Sequence, residues 1–172
     1  MKTSDVLIDA YGRIQELVHI AADGLGPNAL AYRIEREANS IAWLVWHLTR
    51  IQDHHVSEIA GRDQAYVAAG WAERLLMAPD VNETGHGHTS AQVAAIQPAG
   101  PEDLLAYHDA VIANTTQYLS GITADELDRV IDHRWDPPVS VGVRLVSVVS
   151  DNIQHAGQAR YVRGIVDRLQ IR

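Results

Sequence analysis

The 172-residue chain is 47% hydrophobic and 21% charged, carries a formal net charge of −8 and contains no cysteine. Such a length and composition predict one globular domain over 1–172 with enough apolar side chains for a real core, not a disordered segment. The acidic balance, without any local basic patch, argues against a nucleic-acid partner, and the lack of cysteine excludes disulfides, thiolate metal sites and a cysteine nucleophile.

Helical periodicity starts almost at once. Leu7, Ala10, Tyr11, Ile14, Leu17, Val18 and Ala21 share a stripe over residues 4–23, and Gly24 and Gly26 stop it. No secretory apolar segment precedes this helix, and no run of roughly 18 apolar residues occurs anywhere, so a cytoplasmic protein away from membranes is expected. Residues 26–36 read as an irregular connection. A second helix is expected from a cap at Asn39 or Ser40 to Ala60, with Gly61 as its left-handed terminator.

The middle of the chain is less regular. A short helix is expected within 66–77, a loop over 78–89 marked by Pro79, Gly85 and Gly87, and a helical turn over 90–96. Pro101 at the first helical position, with Glu102 and Asp103 in the first turn, opens a third long helix that ends at Gly121. Thr123-Ala124-Asp125-Glu126 is a capping box for a short helix to about Ile131. After Pro137-Pro138, Ser140 caps a fourth long helix reaching about Leu169. Its valine-rich start does not alternate as a strand would, and no strand is expected. Long helices with two long connections predict an all-α fold: an antiparallel four-helix bundle with long crossover connections, not simply up-down-up-down. The Ala-, Val- and Leu-rich stretch 106–119 offers a second face, and a two-fold homodimer is expected.

Within the fourth helix, Asp151 and His155 stand four residues apart and share a face with Val148, Val162, Val166 and Leu169. A carboxylate and an imidazole at that spacing can hold one divalent ion. With 22 acids in 172 residues, however, about one Asp/Glu-x-x-x-His pair is expected by chance. A structural Asp–His hydrogen bond or an Asp151–Arg144 ion pair would explain the pair equally well. A third ligand has to come from another helix. In the second helix, His47 sits among Trp43, Leu44, Leu48 and Ile51, and His55 borders the same stripe, while His54 groups with Arg50 and Glu58 on the solvated side. Helical position alone does not choose between His47 and His55. His86 and His88 flank Gly87 in a loop and read as solvated; Ser90 lacks a nucleophile elbow.

Trp43-Leu44-Val45-Trp46-His47-Leu48, following Asn39-Ser40-Ile41, resembles the second-helix signature of the DinB-like (YfiT-like) four-helix metalloprotein superfamily. Asp151-Asn152-Ile153-Gln154-His155-Ala156-Gly157-Gln158 resembles its fourth-helix signature, usually His-x-x-x-His followed by a Gly-Gln step. The resemblance spans essentially the whole chain, including Gly85-His86-Gly87-His88-Thr89-Ser90, and is closest to the branch grouped with mycothiol-dependent transferases and maleylpyruvate isomerases. It implies three metal ligands, His47, Asp151 and His155, and so favours His47 over His55. Asp151 departs from the usual histidine. Two imidazoles and a carboxylate with open positions suit a divalent metal, zinc first, with nickel or iron as alternatives. The implied function is activation of a low-molecular-weight thiol, mycothiol-like, for transfer to an electrophilic small molecule. A metal-dependent hydrolase and a non-catalytic metal- or ligand-binding homodimer are the alternatives. Arg144 could neutralise Asp151 or receive a substrate carboxylate. Only His55 and Glu58 are on offer as general acid or base, so no catalytic residue is assigned.

Overall fold

The computed structural model describes residues 2–172. Four long helices dominate: α1 (Thr3–Ala22), α3 (Ile41–Ala60), α7 (Glu102–Ser120) and α9 (Val141–Leu169). Between them lie the short helices α2 (Pro27–Leu30), α4 (Ala65–Ala68), α5 (Trp71–Arg74), α6 (Ser90–Ala95) and α8 (Ala124–Asp128). The expected terminators act as written. Ser40 accepts a hydrogen bond from the Trp43 amide at 3.1 Å, Gly61 closes α3 at φ 63°, and Ser140 accepts from the Val143 amide to start α9.

Four local expectations are corrected. Residues 26–36, expected to be irregular, hold the short helix α2, which Pro27 opens at its first helical position. Residues 66–77 hold two short helices, because Gly70 adopts a left-handed φ of 71° between them. Pro101 is the N-cap of α7, one residue before the first helical position. The short helix α8 ends at Asp128, and Val130–Asp132 (β1) pairs antiparallel with Val139–Ser140 (β2) where no strand was expected. Two or three residues give no usable periodicity, and the pair forms because the 133–138 turn brings its ends together.

Cross-helix contacts fix the bundle's directions. Arg144 meets His55 while His155 meets His47, so α3 and α9 run antiparallel. Thr49 meets His108 and Gln52 meets Thr115, so α3 and α7 run parallel. Tyr11 meets Leu145 and Arg163 reaches the Asp23 carbonyl, so α1 and α9 are parallel as well. The order is up-down-down-up, the non-alternating arrangement that long connections allow. Helix α3 packs against both α7 and α9, and α1 against the same two.

Helix α3 is the spine. Every residue from Ile41 to Arg50 is buried, because α9, α7 and the 81–88 loop cover its successive faces. On α9, Val148, Val162 and Val166 are buried as the stripe requires, whereas Leu169, the last residue of the helix, is 57% exposed. The exposed apolar residues Val143, Val146, Ile153 and Tyr161 also lie on α9. Among the described residues no helix is long and apolar enough to cross a membrane.

Candidate metal centre

His47 lies two turns into α3, and Asp151 and His155 lie midway along the facing helix α9. Antiparallel packing brings them level, and one ligand atom from each lies within 4.8 Å of the others. The His155 Nε2 to Asp151 Oδ1 distance is 3.5 Å, and the two imidazole centroids are 4.8 Å apart at 77°. His47 is buried, and Asp151 and His155 are half-buried at the mouth.

Each histidine is oriented by its other nitrogen. His47 Nδ1–H donates to the Thr84 carbonyl at 2.5 Å, and His155 Nδ1–H donates to Gln158 Oε1 at 2.9 Å. His47 Nε2 is thereby left as an acceptor, and His155 Nε2 faces Asp151 Oδ1 at 3.5 Å, where a metal would displace the proton between them. That is how metal-ligating histidines are held, with the tautomer fixed from outside the ligand set. Asp151 Oδ2 is buried and has no hydrogen-bond partner. A buried carboxylate oxygen without a donor is costly unless a cation meets it. The residues present therefore fit a divalent ion.

Charge supports the same reading. Burial pulls the His47 pKa down despite its backbone partner, so the ring is neutral and its lone pair available. Burial alone would raise Asp151, but the hydrogen bond and charge of His155 hold it below the usual carboxylate range. His155 is raised in turn, burial being outweighed by the Asp151 contact. A metal would take the place of the proton this pair shares.

The loop over 81–88 clamps the site from outside. Arg50, read from sequence as part of a solvated face, is fully buried. Its guanidinium donates to the Glu83 carbonyl at 3.0 Å, the Val81 carbonyl at 3.1 Å and Gln64 at 2.8 Å, and lies 4.1 Å from the Tyr66 ring centroid. Asp53, itself buried, accepts from the Tyr66 amide and the Tyr107 hydroxyl and balances the charge. Trp43 stacks on His47 with centroids 4.5 Å apart and donates its indole N–H to His88 Nδ1 at 3.1 Å. His88 Nε2–H donates to Glu83, so neither nitrogen is free for a metal. The expectation that His88 is solvated is therefore corrected: its side chain is 7% exposed, sealed between Trp46 and Glu83. His86 remains exposed.

A second group, His54, His55 and Glu58, also gathers within 4.8 Å. Here Arg144 Nη1–H donates to His55 Nδ1 at 2.8 Å, which occupies that lone pair and sets a cation where a metal would sit. Arg144 does not neutralise Asp151: the carboxylates within 4 Å of it are Asp132 and Glu58.

The profile of the family described as mycothiol-S-transferase matches residues 10–168. A crystal structure of a conserved protein of Enterococcus faecalis is 31% identical, with a TM-score of 0.88 over 95% of this chain and 96% of that one. Among curated proteins, none matches.

Proposed function

Because the chain belongs to the mycothiol-S-transferase family, we propose that His47, Asp151 and His155 hold a catalytic divalent metal, zinc in the first instance, and that the protein transfers a mycothiol-like thiol to an electrophilic small molecule. The observation that carries this reading is the gathering of one ligand atom each from His47, Asp151 and His155 within 4.8 Å of one another, with the second Asp151 oxygen, Oδ2, buried and without a hydrogen-bond partner. When bound, the cation supplies Lewis acidity that lowers the pKa of a thiol to near neutrality.

The chain's own residues do the rest. With no cysteine, the protein cannot provide the nucleophilic sulfur, so the thiol enters as co-substrate. Two grooves flank the triad. One, about 570 Å³, includes Glu37, Asn39, Gln154 and Gln158 and suits a polyhydroxylated thiol. The other, about 690 Å³, runs along α9 past Val143, Val146 and Asp151 and offers the electrophile a way to the triad. Transfer forms a sulfur–carbon bond, expels the leaving group with the electron pair of its bond, and releases the thiol proton to water.

Metal analysis of protein purified without an affinity tag tests the site. One zinc per chain is expected in wild type and in His55→Ala, and none in His47→Ala or His155→Ala. One-to-one metal retained in His47→Ala would overturn the assignment. Conjugation of an alkylating probe with purified mycothiol should stop on chelation and return with zinc; turnover indifferent to chelation would remove the metal from the reaction.

A further inference from the structure

Arg144 projects from α9 one turn before Val148 and is 17% exposed. It makes one hydrogen bond, to His55. Glu58 at 3.8 Å and Asp132 at 3.7 Å lie beyond hydrogen-bond length. Asp132 is already satisfied, accepting from the Arg134 side chain at 2.9 and 2.8 Å and from the Arg134 amide at 3.0 Å. Glu58 is 63% exposed and screened by water. A guanidinium carries five N–H donors in a planar fork matched to an oxyanion, and most of those on Arg144 are unused.

The fork borders a cavity of about 200 Å³ lined by Ile51, His55, Arg144, Ser147, Val148 and Asp151. One end is cationic, the walls are apolar, and the other end is the carboxylate of the metal-binding triad. Ser147 and Asp151 also line the open groove on α9, which connects the cavity to the outside. The space suits a small acid of several heavy atoms, on a scale where one water occupies about 30 Å³.

We infer that this cavity is an oxyanion subsite in which Arg144, backed by His55, receives the carboxylate of a small electrophilic acid and sets its reactive carbon beside the triad. The inference rests on the thiol-transfer reading and adds its substrate class. His55 accepts from Arg144 through Nδ1, so it steadies the fork without competing for it. With a divalent cation at the triad, the cation, Arg144 and Arg134 outweigh Asp151, Asp132 and Glu58 by one positive charge, so an anion is attracted and a neutral analogue is not. In the reaction the thiol sulfur bonds to the carbon next to the carboxylate, the leaving group departs with the electron pair of the broken bond, and the thiol proton passes to water.

Iodoacetate and iodoacetamide are near-isosteres that differ in this charge, and propionate is an unreactive stand-in for the acid. With the zinc-loaded full chain and mycothiol, kcat/KM corrected for the uncatalysed rate should favour iodoacetate by at least about tenfold, the scale of one charge-assisted hydrogen bond. Arg144→Gln should erase that preference. In calorimetric titration, propionate should bind wild type and bind Arg144→Gln at least about tenfold more weakly, with one zinc per chain in both. Ser147→Asp, at an exposed helical position, sets a competing carboxylate in the cavity and should cause the same loss; it decides the matter if Arg144→Gln does not fold. Equal propionate affinity in the folded variants would overturn the subsite, since the anion would then sit on the metal. If neither iodo compound is conjugated but propionate binding follows Arg144, the transfer reading falls and the anion site stands. If iodoacetamide is conjugated and iodoacetate gains nothing, the anion site falls alone.

Discussion

Gly85 lies directly against the His47 imidazole. At φ 86° it occupies a backbone region open mainly to glycine, and a Cβ there would stand 2.7 Å from Trp46 Cζ3 and 3.1 Å from His47 Nδ1. The preceding residue, Thr84, supplies the carbonyl that fixes the His47 tautomer, so the glycine lets the loop approach closely enough to orient a ligand.

Gly85→Ala should therefore disturb the metal centre from outside the ligand set. The positive φ alone costs about 1–2 kcal/mol, and the contact with Trp46 adds to it. Melting temperature should fall, and zinc affinity should drop by roughly 10–100-fold as the Thr84 carbonyl shifts. An alanine variant with wild-type zinc affinity would show that the loop does not orient His47.

Much of the bundle is legible in the sequence because its signals are local. Ser40, Gly61 and Ser140 mark helix ends through side-chain or φ requirements that act within a few residues, and the structure uses each of them. The gathering of His47 with Asp151 and His155 needed the family resemblance, since a helical wheel treats His47 and His55 alike. Arg50 and His88 depart from their expected exposure for one reason. A charged or polar side chain reads as solvated unless its partners are known, and theirs are carbonyls, an indole and a carboxylate supplied across the 81–88 loop. The Thr84 carbonyl leaves no mark on the sequence at all, because a backbone oxygen is the same at every residue. Gly85 did leave one, inside Gly85-His86-Gly87-His88, but a glycine that turns a loop and one that admits an imidazole look identical in a string of letters.

Gln158 tests orientation from the other side. Its amide oxygen accepts from His155 Nδ1–H at 2.9 Å, and the residue is exposed. Gln158→Leu keeps the bulk and removes the acceptor, so His155 can turn or change tautomer. Zinc affinity should fall about 10–100-fold, with little change in the melting temperature of the metal-free protein. Isothermal titration against a zinc buffer, paired with a thermal melt, separates the two effects.

His108 sets an acid limit on stability. It is fully buried, its Nδ1–H donates to Thr49 at 3.0 Å, and Nε2 has no partner. Burial pulls its pKa down from 6.5 to about 4, so between those values the unfolded chain binds a proton that the folded chain refuses. The associated stability is complete above the unfolded value and is lost as pH falls toward the folded one. From pH ~7 to pH ~5 the loss from this group is about 2 kcal/mol. His55, also lowered to about 4, chiefly by burial and then by Arg144, acts in the same direction. Urea denaturation of metal-free protein across this range should show the slope, and His108→Gln should flatten it; an unchanged slope would mean that His108 is not buried neutral.

Asp151 is where this chain departs from the histidine usual in its superfamily, and substitution there separates ligand from scaffold. As a ligand it offers an ionised oxygen, Oδ2, with no partner, while Oδ1 lies 3.5 Å from His155. Asp151→His should then retain binding, because an imidazole at the same helical position can present Nε2 to the ion. Asp151→Asn keeps the volume but offers only a neutral, weak donor, so zinc affinity should fall at least about tenfold. If Asp151 served only as a hydrogen-bond partner for His155, the ranking would reverse: asparagine could keep that bond, whereas histidine would set two imidazoles together and lower the melting temperature as pH falls. Metal affinity and melting temperature of both variants at one pH decide between the two, and equal zinc affinity in wild type and Asp151→Asn would take Asp151 out of the coordination sphere.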